Sequence, residues 1–250
     1  HPLRVSDLPR YGRYGCVGRA YGLSYAFADA PPDYTVDYDG EYPWIWRADD
    51  GAYRIVEWLP DGERDYYYEP GEVYPFYISG PDYGYAYDDD ALVGVYDLYG
   101  DPLDYGVVGG RIYNATRYFG RGRDLFYAAN HSQRRAAYAE DWLERRDALF
   151  NGPRRWEQQQ TRDPGWQAWR RRHAPAQQRE WRNERNQRMA YAIASSAGLA
   201  GVRARMTREH RQGFAARGGL GQGHEQFGPA FRAQGVGPRQ AARSQDRCHR

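Results

Sequence analysis

The sequence predicts an α+β protein: a tyrosine-rich antiparallel β-meander followed by an extended, mostly helical basic tail with a disordered C-terminus. Three observations carry this reading. Turn markers at Gly51, Gly62, Gly71, Gly80, Asp90, Gly100 and Gly110 recur about every ten residues, the spacing of short strands joined by tight turns. Beyond about Gly122 the apolar period changes to alternating steps of four and three, as on one face of a helix. The charge also reverses at this boundary: residues 1–110 carry 7 Arg against 21 acidic residues, and residues 111–250 carry 28 Arg against 12. The overall net charge of +2 conceals that swing.

Residues 1–32 mix Pro, Gly and Tyr without a stable period and are expected to form an irregular N-terminal arm or lead-in strand. Residues 33–118 form the acidic β module. Its strand-forming runs are Trp44-Ile45-Trp46, Tyr53 to Trp58, Tyr66-Tyr67-Tyr68, Tyr74 to Ile78, Tyr83 to Tyr87 and Leu92 to Tyr96, about six strands in all. Asp50-Gly51 and Asp61-Gly62 supply the positive-φ chemistry that hairpin turns need. Residues 119–211 are read as Arg/Gln/Trp-rich helical segments. A first helix capped by Asp124 carries the stripe Leu125, Ala129, Ser132, Ala136, Ala139, Leu143, Arg146 and Phe150, and Asn151-Gly152-Pro153 ends it. Further segments follow over Arg154 to Arg162, Trp166 to His173, and from Pro175 to about Ser196. Residues 212–250 are Gly/Gln/Arg-rich and are expected to be disordered.

The Tyr42-Pro43-Trp44 to Asp61-Gly62 stretch is weakly echoed from Tyr74-Pro75-Phe76 to Gly100-Asp101. With Tyr87-Asp88 and Tyr96-Asp97-Leu98-Tyr99-Gly100, this echo resembles the tyrosine–aspartate (YD) β-hairpin repeats of Rhs-type shell proteins over about 60 residues. The expected glycine is present as Gly100 but replaced by Ala91 in the first copy. Two copies are too few to enclose a shell. In layout the chain is also similar to uncharacterised exported Gram-negative bacterial proteins that join a Tyr-rich β part to an Arg/Gln-rich tail. Neither resemblance implies a chemistry.

Leu, Ile, Val and Phe total 36 of 250 residues, so any core is built on the 24 Tyr and 8 Trp. Arginine supplies all 35 basic residues, which suits planar, bidentate recognition of phosphate or carboxylate but also follows from GC-rich coding. Cys16 and Cys248 have no metal-ligand spacing; they either close one loop around nearly the whole chain or remain unpaired. No stretch approaches the ~20 apolar residues of a membrane span and no signal peptide is visible, while the start at His1 fits a processed, exported protein or a fragment.

Two groups of residues are candidate binding surfaces. Alternation on strands places Trp44, Trp46, Trp58, Tyr66, Tyr68, Tyr83, Tyr85 and Tyr87 on aromatic faces that either stack on sugars or aromatic ligands or serve as sheet packing. In the tail, Arg154, Arg155, Arg170, Arg171, Arg172, Arg179, Arg182 and Arg185 with Trp166, Trp169 and Trp181 match the composition of a surface for nucleic acid, anionic glycan or lipid. The competing roles are tryptophans that anchor the tail on the β module and arginines that meet its acidic residues. His1 is a weak copper candidate, and Asp88, Asp89 and Asp90 lack EF-hand spacing and are read as turn residues. No nucleophile elbow, phosphate loop, Cys-x-x-Cys or His-Glu-x-x-His occurs, so neither cofactor nor catalytic residue is expected. The leading expectation is a structural, self-associating envelope or extracellular protein that forms oligomers or filaments or docks its own tail. A polyanion-binding protein is the alternative, and a metal-dependent enzyme using His1 is weaker still.

Overall fold

The computed structural model describes residues 4–5, 14–27, 30–104 and 109–195. The expected disorder of 212–250, a Cys16–Cys248 pairing and the copper reading of His1 therefore concern residues outside that set. The meander is present as seven consecutive antiparallel strands: β2 (Tyr34–Thr35), β3 (Trp44–Arg47), β4 (Tyr53–Leu59), β5 (Gly62–Tyr68), β6 (Tyr77–Ser79), β7 (Gly84–Asp88) and β8 (Ala91–Tyr96). An eighth strand, β1 (Arg4–Val5), joins in parallel at the β8 edge, with Arg4 opposite Ala91. Glycine is needed where the turns require left-handed backbone, as at Gly51 (φ 95°) and Gly62 (φ 122°).

Each sheet face is covered by helices, so the module is the middle layer of three. The first face carries Trp44, Trp46, Val56, Tyr67, Tyr77 and Tyr96. It packs on α1 (Gly15–Phe27) and on tryptophans of the helices that follow the sheet. The second face carries Ile45, Tyr53, Ile55, Tyr66, Tyr68, Tyr85 and Tyr87 and packs on α2 (Ile112–His131).

The N-terminal segment corrects the expectation of an irregular arm, because α1 is a helix whose buried residues include Val17, Ala20, Leu23 and Phe27. Its glycines each cost about 1 kcal/mol of helix propensity, yet they make room for the last helices. A β-carbon at Gly18 would lie 2.3 Å from the Trp169 ring, and one at Gly22 would lie 2.9 Å from Trp181.

α2 explains much of the tyrosine content. Tyr87, Tyr68 and Tyr34 donate their hydroxyls to the backbone carbonyls of Ala115, Gly122 and Ala129 at 2.8, 2.7 and 3.1 Å. These acceptors are seven residues apart along α2, so one row of small residues lets three phenols reach the helix backbone.

α2 also corrects the helix expected from Asp124 to Phe150. It begins earlier, at Ile112, and ends at His131, so Asp124 lies within it rather than capping it. The chain then runs extended, and Arg135 exchanges backbone hydrogen bonds with Thr35 at 2.8 and 2.9 Å. Pairing the open edge of β2 satisfies backbone groups that a continuous helix would leave unpaired. The remaining helices are α3 (Ala139–Leu149), α4 (Asn151–Arg162), α5 (Pro164–Glu180) and α6 over 182–195. Asp163 closes α4 and caps α5, accepting from the Gly165 and Trp166 amides at 2.7 and 3.4 Å, with Pro164 in the first turn. α5 runs on through Pro175 to Glu180, so the expected break before Pro175 is absent and the segment expected from Pro175 to about Ser196 is instead divided between α5 and α6. Among the described residues no helix is long and apolar enough to cross a membrane.

Candidate functional site

The aromatic platform is not an open surface. Strand alternation is as expected, with Trp44 and Trp46 on the first face and Tyr66, Tyr68, Tyr85 and Tyr87 on the second, but all six are buried because helices cover both faces. Trp58 lies under the Arg145 guanidinium at 4.6 Å and against Trp44 at 4.4 Å. Tyr83 lies under Arg111, which donates to its hydroxyl at 2.7 Å. Burial also raises the pKa values of Tyr66, Tyr68, Tyr85 and Tyr87, with Tyr85 pushed up to about 12.

Buried ion pairs tie the elements together, and two of them, Arg188 with Asp33 and Arg121 with Glu57, bring an arginine of the basic half to a carboxylate of the acidic half. Arg19 of α1 grips Glu69 and Glu180 with contacts of 2.7–2.9 Å and lies 4.1 Å from the Trp181 ring centre. Burial opposes its charge, but the Glu180 and Glu69 contacts outweigh that and raise its pKa. Arg188 of α6 forks onto Asp33 with two bonds of 2.8 Å and also donates to Glu184 and the Arg47 carbonyl. Arg54, which is fully buried, pairs with Asp65 across the β4–β5 ladder and donates to the Leu149 carbonyl at the end of α3. The Tyr67 hydroxyl adds to Asp65 and receives a bond from Ser24, so α1, the sheet and α3 share one polar network. On the second face buried Glu57 accepts from Tyr66 at 2.5 Å and from Arg121 of α2 at 2.7 Å. Arg64 faces Glu57 across the ladder and also pairs with Asp61.

The tail tryptophans are anchors. Trp166 and Trp181 are buried, and Trp156 and Trp142 join them in the core. Trp169 is half-buried; it stacks on His173 at 4.6 Å and lies against Gly18. The arginines divide. Arg171, Arg172 and Arg179 point to solvent from α5, and Arg155 is half-buried near Glu63. Burial, with Asp65 nearby, pushes Glu63 up to about 7.

The others converge. Two clefts flank a ridge formed by Tyr21, Tyr25 and Arg185, with the Arg185 guanidinium 3.3 Å from the Tyr25 ring centre. The first, of about 610 Å³, is lined by Arg146, Arg154 and Glu157 and by the exposed apolar residues Met189 and Ile193. The second, of about 230 Å³, lies between α1, α4, α5 and the start of α6. Arg170, Arg182 and Arg185 line it together with Gln160, Gln177, Gln178 and Asn186, and no carboxylate does. Gln160 is 2% exposed, and neither its Nε2 nor its Oε1 has a hydrogen-bond partner. Sequence reasoning named Arg154, Arg170, Arg182, Arg185, Trp169 and Trp181 but missed Arg146, Gln160, Tyr21 and Tyr25. The one available signal was Tyr21 and Tyr25 at i, i+4, which would have needed α1 to be recognised as a helix.

Among the described residues no group of three or more His, Cys, Asp or Glu side chains could hold a metal ion. Asp89 takes the left-handed backbone (φ 50°) of the two-residue β7–β8 turn. Cys16 is buried against the sheet. Comparisons with protein-family models, curated proteins and solved structures found no match to this chain.

Proposed function

We propose that this protein binds an anionic polymer along the helical surface that holds the two clefts. The observation that carries the reading is the composition of the second cleft, where three arginines gather with no carboxylate among the lining residues. Elsewhere in the fold Arg19, Arg54 and Arg188 are each matched to an acidic side chain. Guanidinium groups gathered without counter-charge repel one another unless an anion lies between them, which makes such a cleft a focus for negative ligands.

The test is a titration of the full chain with polygalacturonate and with a single-stranded oligonucleotide over a range of salt. Affinity should fall as salt rises, and an Arg170→Gln/Arg182→Gln variant should bind more weakly with a shallower salt slope, each lost phosphate contact removing about 0.7 from the slope for the single-stranded oligonucleotide. An Arg171→Gln/Arg172→Gln variant, altered on the solvent side of α5, is the control. Equal losses in both variants, or no binding of either polymer, would overturn the proposal.

The competing reading, a self-associating structural unit driven by its opposite halves, has less support. Four of the carboxylates that would attract a second copy, Asp33, Glu57, Asp65 and Glu69, already hold this chain's own arginines.

A further inference from the structure

We infer that the second cleft is a subsite for one hydroxyl-bearing ring of an acidic glycan, such as a uronic acid residue, with Gln160 as its specificity determinant. This rests on the anionic-polymer reading and narrows it to one chemical class.

Gln160 is the reason. Its side chain is almost wholly buried on α4, lines the cleft, and has both its amide donor and its amide acceptor unpartnered. A buried amide left unpaired at both ends is costly, so a ligand that satisfies both ends is favoured there. A phosphodiester, sulfate or ionised carboxylate group offers acceptors only, so it would satisfy Nε2 and leave Oε1 stranded. Sugar hydroxyls both donate and accept, and an adjacent pair on a ring can satisfy both ends of the amide. The rim continues the pattern, because Gln177, Gln178 and Asn186 are further neutral amides with the same dual capacity. Arg170 and Arg182 supply the charge for the carboxylate of an acidic sugar.

The aromatic walls count against nucleic acid. Base recognition in single strands depends on open aromatic faces. Here His173 stacks on Trp169, Arg19 covers Trp181 and Arg185 covers Tyr25. The volume of about 230 Å³ is below the usual range for drug-sized ligands and suits a single ring, with the larger cleft beyond the Tyr25 ridge available to the next units of a chain.

The experiment uses the full chain and three probes of matched charge: an oligogalacturonate, an inorganic polyphosphate without hydroxyls or rings, and a single-stranded oligonucleotide. The unaltered protein should bind the oligogalacturonate tightest. Gln160→Leu, which keeps size and charge, should weaken oligogalacturonate binding about tenfold or more while leaving polyphosphate binding unchanged. Asn186→Ala, at an exposed rim position where folding is not at risk, should weaken the same probe by a smaller factor. Oligogalacturonate affinity unchanged in Gln160→Leu, an equal loss of polyphosphate affinity in that variant, or tighter binding of the polyphosphate or oligonucleotide by the unaltered protein would overturn the subsite while leaving anion binding intact. Binding of none of the three probes would instead overturn the anionic-polymer reading itself.

Discussion

At the residue scale, the lack of lysine has a structural counterpart. Arg19 and Arg188 each use two or more nitrogens of one planar fork to hold carboxylates on different elements, a geometry that a lysine ammonium does not reproduce. Arg188 is 1% exposed, so Arg188→Met should cost about 3–5 kcal/mol in urea denaturation by stranding Asp33 and Glu184. Glu63 sets a pH dependence. Its carboxyl is raised from 4.5 to about 7 by burial and Asp65, against the opposing pull of Arg54 and Arg155. A raised folded-state value means that the fold favours the protonated form, so this contribution is full below about 4.5 and is lost as pH rises through about 7. Glu63→Gln should therefore melt with the parent at pH 4 and above it at pH 8. Equal melting temperatures at pH 8 would show that Glu63 is solvated. Gln160→Leu should raise the melting temperature of the unliganded protein, since it removes a buried amide with no partner.

At the element scale, small residues decide where helices lie. Gly18→Ala drives a methyl into Trp169 and should destabilise the fold by about 1–3 kcal/mol despite the better helix propensity. Gly120→Ala in α2 meets nothing within 4 Å and should instead stabilise by about 0.5–1 kcal/mol. Thermal melts of the pair separate packing from propensity. The strands were legible in sequence because alternation and Asp-Gly turns are local signals: β4 and β5 contain the Tyr53–Trp58 and Tyr66–Tyr68 runs and extend them by one and four residues. α1 was not legible. Gly15, Gly18 and Gly22 break the apparent period, and the use of Gly18 and Gly22 becomes visible only with Trp169 and Trp181, some 150 residues away in sequence, packed against them. The stripe from Leu125 to Phe150 misled for a related reason, since the unpaired edge of β2 claims Arg135 and interrupts it. The cleft was half legible: composition pointed to the arginines, but Gln160 is one Gln among several in Gln158-Gln159-Gln160, and only burial distinguishes it.

At the scale of the whole molecule, part of the swing from an acidic to a basic half is neutralised inside the chain, where Arg121 and Arg188 of the basic half hold Glu57 and Asp33 of the acidic half. Arg19, Arg54, Arg121 and Arg188 bind the sheet to helices before and after it, and the tail tryptophans complete the core of the first face. Light scattering should accordingly give the monomer mass at both low and high salt. A mass that rises at low salt would favour assembly through the charged halves. The central claim, that sheet and helical tail form one cooperative unit from which the arginine cleft is built, is tested most directly by urea unfolding followed with two probes on the same samples. Tryptophan fluorescence reports largely on the helical layer through Trp142, Trp156, Trp166, Trp169 and Trp181, while near-ultraviolet tyrosine circular dichroism reports on the sheet. Coincident transitions with a single midpoint are expected. A fluorescence transition at clearly lower urea, with the tyrosine signal still native, would contradict the account, because the tail would then be an appendage rather than a layer of the fold.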